Sequence, residues 1–295
     1  MICTRLLTCL LLFQLSISSY ADNVQLITFG VNDVRYQYCT SVLKLIIEKS
    51  QPKFGPAKLV LHSNSQFVNA PAARNVELLA TGKLDVGCLG YNLVRKDRFN
   101  WIEPGINMGT LGYRILLIKE GNQFNFDKIH SLQELTNNLH GGFVSSWSDT
   151  HILDFNGINT LKTSNYLSLI NMLKVGRFDY VSRGINEIWA EITASDLDVS
   201  RNTSLVAEQN LAFYYPADHY LVTGELNETL AKRLAYGMKK ALQDGSLKTL
   251  FFNHMGPALQ KANIKQRRIF HLINPEPLLE IKTDWWFESN LNMSE

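Results

Sequence analysis

The chain has 295 residues, 45% of them hydrophobic and 19% charged, with a formal net charge of +2. That suffices for one large or two modest hydrophobic cores and excludes a small disulfide-framed scaffold. The even charge balance, with no basic run and no aromatic stacking series, excludes a nucleic-acid binder.

Residues 1–21 read as an export signal rather than as fold. Arg5 supplies the positive start, Leu6 to Ile17 the apolar stretch, and in Ser19-Tyr20-Ala21 the serine and alanine are the small residues at the two positions that a signal peptidase reads, so cleavage is expected after Ala21. The apolar stretch is too short to span a bilayer, and no later segment approaches about eighteen continuous apolar residues. The mature chain is therefore expected to be soluble and exported, periplasmic or secreted. Cys3 and Cys9 leave with the signal, and Cys39 and Cys88 remain. These two can pair in an oxidising compartment. Sequence does not fix their separation, and two buried free thiols are the preferred reading.

A first strand is expected over residues 24–31, then a helix over 36–50 with Val42, Leu45, Ile46 and Lys49 on one face. Pro52, Gly55 and Pro56 should end that helix. A strand over 58–62, a helix opened by Pro71 with Val76, Leu79 and Ala80 inward, and a strand over 85–90 follow. The βαβαβ order suits a parallel, doubly wound sheet. Residues 113–119 form a long apolar strand, read as a first crossing between lobes. Next come a helix over 131–137, a strand over 142–145, a helix from about 148, a helix over 166–175 and a strand over 179–182. A helix over 185–193 leads to a strand over 205–215, the return crossing, which Pro216 ends. A strand over 219–222, helices over 227–243 and 246–253, and an irregular tail from Pro257 complete the chain.

Residues 77–90 carry the strongest pattern, because residues 169–184 repeat much of it. Each copy is an apolar helix, a glycine (Gly82, Gly176), a basic residue, an apolar residue, an aspartate (Asp85, Asp179) and a short apolar strand. The glycine suits the left-handed position just past a helix. Two αβ units of one design point to two similar α/β lobes, here 22–112 with 217–295, and 113–216. Ligands of open α/β sheets lie outside the carboxyl ends of strands, which makes residues 89–92 and 182–186 candidate cleft segments.

The candidate binding residues follow from that placement. Trp147, Ser148, Asp149 and Thr150 lie between a strand and a helix start, where N-capping groups and freed N–H donors gather. Arg183 and Glu187 stand four apart after the repeated strand, able to bind a ligand or to pair with each other. Arg114 lies in an apolar strand, where a lone charge is unfavourable. It must pair with an acid or reach the cleft. Tyr36, after the first strand, and Asn92, just past Gly90, can line the first-lobe wall. No catalytic residue, metal site or cofactor is expected. The seven histidines show no paired helical spacing, and Ser145, His151 and Asp154 lack a nucleophile elbow.

The runs Leu78-Leu79-Ala80-Thr81-Gly82-Lys83-Leu84-Asp85, Leu173-Lys174-Val175-Gly176-Arg177-Phe178-Asp179 and Met238 to Ser246 resemble the family 3 extracellular solute-binding proteins. Gly109 to Arg114, Trp147 to Thr150 and Arg183 to Glu187 resemble a proteobacterial branch of that family. The resemblance implies a two-lobed type II periplasmic binding fold, each lobe a doubly wound, mostly parallel sheet, joined by two crossing segments. It further implies a monomer that captures a small polar ligand by hinge closure and presents it to a membrane permease or sensor protein. Family members that bind amino acids place an acid for the ligand's ammonium where this chain has Arg183 and Gly184. Their carboxylate-binding arginine corresponds best to Arg98, one position off register, with Arg95 less apt. A guanidinium welcomes a carboxylate or phosphate, so the expectation leans toward an anionic or amino-acid-like ligand held between Arg98 and Arg183. Two alternatives stand beside it. One is a dehydratase-like enzyme on the same fold, using Glu187 or Asp149, and the other is a ligand-gated partner of a membrane sensor.

Overall fold

A computed structural model describes residues 24–30, 37–61, 72–91, 93–145, 147, 149–196, 203–276 and 279. Strand β1 (Gln25–Phe29) turns Ile27 and Phe29 inward and pairs in parallel with β2 (Ala57–Leu61). Helix α1 (Gln37–Phe54) connects them and buries Val42, Leu43, Ile46 and Ile47, the spacing of one helical face. Helix α2 (Ala72–Ala80) then leads to β3 (Gly87–Gly90), whose preceding residue, Val86, bridges Phe29 in parallel. Strand β10 (His219–Gly224) returns between β3 and β4 (Phe99–Ile102), antiparallel to both. The first lobe therefore runs β2-β1-β3-β10-β4.

The second lobe is built around β5 (Tyr113–Lys119), which is buried along all but its last residue. Strands β6 (Gly141–Val144), β7 (Thr160–Thr163), β8 (Tyr180–Gly184), β9 (Leu205–Tyr214) and β11 (Arg268–His271) complete a six-stranded sheet, ordered β11-β9-β5-β8-β6-β7. The β6–β7, β6–β8 and β9–β11 pairs are parallel, whereas β5 runs antiparallel to β8 and β9. Short helices α3 (Gln123–Phe126), α4 (Leu132–Asn138) and α5 (Thr150–Phe155), together with α6 (Tyr166–Lys174) and α7 (Ile188–Asp196), connect these strands. Ser131 caps α4 by accepting the Glu134 N–H at 3.1 Å, and Asn165 caps α6 by accepting the Ser168 N–H at 2.9 Å.

The outward and return crossings are fastened to each other by one side chain. Asp218 is buried and accepts the N–H groups of Asn107 (2.8 Å), Gly109 (2.8 Å) and His219 (2.7 Å). Burial pushes its carboxyl up to about 7, while those three donors pull the other way. Helix α8 (Glu228–Gln243) packs on α1, and its buried Arg233 donates to Ser50 Oγ (2.9 Å) and Gln25 Oε1 (2.8 Å).

The structure corrects several expectations. Helix α1 runs through Pro52 to Phe54, and the Gly55 N–H closes its end on Gln51 O at 2.9 Å. Strands β4 and β7 went unseen because four-residue strands of mixed burial carry too little alternation. The tail is not irregular from Pro257, since helix α9 (Ser246–Ala262) passes through that proline. Its buried Leu247, Phe251, Met255 and Ala262 along both halves offset a break of roughly 3 kcal/mol. At about 25 Å long, α9 makes a third passage between lobes and delivers β11 to the open edge of β9. The tail therefore does not belong wholly with residues 22–112, as a lobe boundary at 217–295 would require. The two cysteines are also bonded, Cys39 of α1 to Cys88 of β3, with Cα atoms 6.5 Å apart. The expected free thiols are corrected by a separation that only the packing of α1 on β3 could reveal.

Candidate functional site

Two parallel strands of the second lobe, β6 and β8, end side by side next to the start of β5, and their exits bring a polar cluster together. Arg114, second in β5, is buried. Its Nε donates to Tyr215 Oη at 2.7 Å, and its Nη2 pairs with Asp149 Oδ2. The Tyr215 hydroxyl in turn donates to the same Asp149 oxygen at 2.7 Å. Asp149 precedes α5, yet its side chain makes no capping bond there. The carboxylate serves the arginine instead.

Arg183 leaves the end of β8, also buried. Its Nε donates to Glu191 Oε2 at 2.7 Å, and its Nη2 reaches Glu191 Oε1, a bidentate pair. Its guanidinium lies 4.4 Å from the centre of the Trp147 ring and 5.7 Å from that of Tyr166. Glu187 links the two arginines, with Oε2 at 3.2 Å from Arg183 Nη2, 3.5 Å from Arg114 Nη1 and 3.1 Å from the Gly184 N–H that it accepts. Burial pushes the Glu187 carboxyl up, but both guanidiniums and that N–H outweigh it and hold the group below the usual range. Burial works against the charge on Arg114 and Arg183 as well, and their carboxylate partners keep both firmly protonated. His219, at the start of β10, lies within electrostatic reach of Glu187, Arg114 and Asp149, and burial holds its imidazole below its ordinary value.

Gly184, the last residue of β8, follows Arg183 directly. A Cβ there would come within 3.0 Å of Arg114 Nη1 and Glu187 Oε2. The polar groups of this site therefore enter from neighbouring positions through the space that glycine leaves.

Of the residues expected from sequence, the structure brings Arg114, Trp147, Asp149, Arg183 and Glu187 together. Thr150 adjoins them but spends its hydroxyl on Val144 O at 3.1 Å. Arg98 is not part of this group. It sits in a 3-10 turn (Leu93–Arg98), 39% exposed in its side chain, paired with Glu77 of α2 at 2.8 Å. The turn that follows β3 sends Arg98 toward α2. Tyr36, Asn92 and Ser148 lie outside the described residues. Sequence reasoning missed Glu191, Tyr215 and His219 as members of the cluster. Glu191 carried a usable signal, one helical turn beyond Glu187 on the same face. Tyr215 sat hidden in an aromatic strand end, Phe213-Tyr214-Tyr215.

Among the described residues the cluster opposes three carboxylates (Asp149, Glu187, Glu191) to two guanidiniums (Arg114, Arg183). Arg183, expected with Arg98 to await an anion, already has a carboxylate partner in Glu191, as Arg98 has in Glu77 and Arg114 in Asp149. No group of histidine, cysteine or carboxylate side chains among the described residues is arranged to hold a metal ion.

Neither a protein-family model nor a curated sequence matches this chain. Solved structures do. The probable amino-acid ABC transporter extracellular-binding protein YtmK of Bacillus subtilis aligns with TM-score 0.56 at 14% identity, over 79% of this chain and 98% of its own. A structure from work on glutathione import and the cystine ABC importer of Streptococcus mutans aligns with TM-score 0.51 at 16% identity, over 79% and 94%. The periplasmic VFT2 domain of Bordetella pertussis BvgS aligns with TM-score 0.50 at 12% identity, over 78% and 93%. At such identities the likeness concerns architecture, and it agrees with the two sheets and their crossings: this chain has the two-lobed type II periplasmic binding protein fold of the solute-binding proteins.

Proposed function

We propose that this protein is an exported solute-binding protein that captures a small, polar, amino-acid-like ligand between its lobes. Hinge closure about the crossings then presents the loaded form to a membrane permease or sensor protein. The signal is cut after Ala21, and the mature chain acts as a monomer in the periplasm or outside the cell. The Cys39–Cys88 bond supports an oxidising compartment. Among the described residues no helix is long and apolar enough to cross a membrane.

The observation that carries the reading is the cluster itself, gathered outside the carboxyl ends of β6 and β8, where open α/β sheets bind ligands. Its charge pairing also chooses between ligand classes. A purely anionic ligand would have to displace Asp149 or Glu191 from its arginine, leaving a buried carboxylate unpaired. An amino-acid-like ligand brings a cation of its own: where its carboxylate takes an arginine, its ammonium can meet the carboxylates of the cluster, the half-exposed Glu187 among them, so that no charge is stranded. The same geometry disfavours turnover. Glu187 is held ionised by two guanidiniums, whereas a general acid or base works best with a pKa near the operating pH.

A thermal-shift screen of the mature chain tests this directly, with amino acids, dicarboxylates, sugar acids, short peptides and neutral sugars. Amino acids are expected to raise Tm by about 5 °C when present at roughly a hundred times Kd. Glu187→Gln should abolish that rise. Stabilisation by neutral sugars alone, or by dicarboxylates equally in wild type and Glu187→Gln, would overturn the reading.

A further inference from the structure

The segment that follows β11 passes from one lobe to the other alongside the return crossing. Leu272 is buried in the second lobe, and its N–H donates to Tyr214 O at 2.7 Å. The next residue is held by a double clamp: the Ile273 N–H donates to Asn156 Oδ1 at 2.8 Å, and Asn156 Nδ2 donates to Ile273 O at 2.7 Å. Asn156 directly follows α5, so this anchor also belongs to the second lobe. Asn274 Nδ2 then donates to Pro216 O at 2.8 Å, on the return crossing. The Glu276 N–H folds back to Asn274 Oδ1 at 3.0 Å, which aims the glutamate side chain.

The two oxygens of that one carboxylate divide between the lobes. Glu276 Oε2 accepts the Leu93 N–H at 3.2 Å, in the 3-10 turn of the first lobe. Glu276 Oε1 lies 3.4 Å from His151 Nε2 on α5 of the second lobe. Arg95, in the same first-lobe turn as Leu93, adds its charge toward Glu276. Three residues further on, Leu279 packs against the first-lobe cluster of Val76, Leu79, Leu84, Phe99, Tyr220 and Val222. The chain thus leaves one hydrophobic core at Leu272 and enters the other by Leu279, with a shared carboxylate between.

We propose that this segment is an interlobe strap, which holds the lobes at the spacing seen here and must release its first-lobe contacts before they can part. Hinge rotation about the crossings alone would leave the Asp218 bonds intact. Beyond its anchor on Pro216 the strap holds groups of both lobes, so parting the lobes pulls Glu276 away from Leu93 and Leu279 out of its apolar contacts. A strap of this kind biases the lobe equilibrium with or without a ligand, because none of its contacts uses the Arg114–Arg183 cluster.

Distance measurement between spin labels tests the strap in the full chain. The labels sit at L226C in the first lobe and L161C in the second, positions that are 97% and 46% exposed, while the native cysteines stay bonded to each other. With the strap intact a single narrow distance distribution is expected. The Glu276→Ala, Leu279→Ser double variant should broaden it and add a longer-distance population. Hydrogen exchange at the Leu93 N–H should also quicken about tenfold, as loss of a charge-assisted hydrogen bond allows. Asn156→Ala, which frees only the clamp on Ile273, should broaden the distribution in the same sense. Unchanged distributions in variants that still melt cooperatively would overturn the strap. So would broadening in the double variant alone, which would assign the effect to the 3-10 turn.

Discussion

The two copies of the repeated αβ unit share their local structure and part company only after the strand. Helices α2 and α6 end alike. The Gly82 N–H bonds to Leu79 O at 3.1 Å and the Lys83 N–H to Leu78 O at 2.9 Å; the Gly176 N–H bonds to Leu173 O at 3.0 Å and the Arg177 N–H to Met172 O at 3.0 Å. Both are Schellman motifs, with the glycines at φ +70° and +72°. Each aspartate then ties its strand to a neighbour. Asp85 Oδ2 accepts the Thr28 N–H at 2.7 Å, and Asp179 Oδ2 accepts the His140 N–H at 2.8 Å. Beyond that point β3 is half-buried and leads into a turn whose Arg98 pairs at the surface with Glu77, whereas β8 is wholly buried and ends in Arg183 and the charged cluster. The comparison separates two jobs. The helix–glycine–aspartate grammar builds a lobe, and the residues just past the strand decide whether that lobe carries chemistry.

The largest expected effect breaks the comparison at this point of divergence. Arg183→Met leaves Glu191, whose side chain is 16% exposed, facing Glu187 with no cation between them. Breaking a buried pair by removing one partner costs about 3–5 kcal/mol, and urea denaturation should register a loss of that size. Replacing both partners, Arg183→Met with Glu191→Met, should recover most of it, since no buried charge is then stranded. The Arg98→Met change in the first copy should cost far less, as for exposed ion pairs generally. Similar losses for Arg98→Met and Arg183→Met would show that the two strand ends do not differ in kind.

A smaller difference sharpens the shared part. Asp85 also accepts the Thr28 hydroxyl, at 2.6 Å, while the Asp179 bond described above is to a backbone N–H alone. Asp85→Ala should therefore cost about 2 kcal/mol and Asp179→Ala about 1 kcal/mol, at roughly 1 kcal/mol per net hydrogen bond. Thr28→Val should bring Asp85→Ala down to the Asp179→Ala value in a double-mutant cycle. If the two alanine variants are equally stable, the added hydroxyl bond contributes nothing.

How far the sequence could be read follows the same division. The helix stripes Val76–Leu79 and Leu169–Leu173, the stop glycines and the opening aspartates are all local signals, and each maps onto an observed element. The apolar run at 113–119 likewise became β5 at its expected bounds. What failed to show were decisions taken across the fold. Arg183 was recognisable as an unusual residue, but its choice of Glu191 and Trp147 over a ligand depends on how α7 and the β6 exit pack around β8. Tyr215 reaches Asp149 and Arg114 from the far side of a crossing. Cys39 and Cys88 meet only because α1 lies across β3. Burial of both halves of α9 overrode the break that Pro257 signals locally, and the unpaired edge of β9 recruited β11.

The smallest expected effect concerns the two stop glycines, and it asks whether the repeated unit is one device used twice. A Cβ built at Gly82 or at Gly176 meets nothing within 4 Å, so crowding has no part in either substitution. Only the left-handed backbone opposes a side chain, and that strain amounts to about 1 kcal/mol per residue in either setting. Gly82→Ala and Gly176→Ala should therefore destabilise the protein by the same amount, although one lies in the first lobe and the other in the second. Asparagine, which tolerates this conformation better than alanine, should restore part of the loss at both sites. Equal shifts in the denaturation midpoint would assign the cost to the turn itself. A difference of more than about 0.5 kcal/mol, the usual limit of independent sites, would mean that the surroundings of one copy reach into its helix end and that the likeness stops short of the glycine.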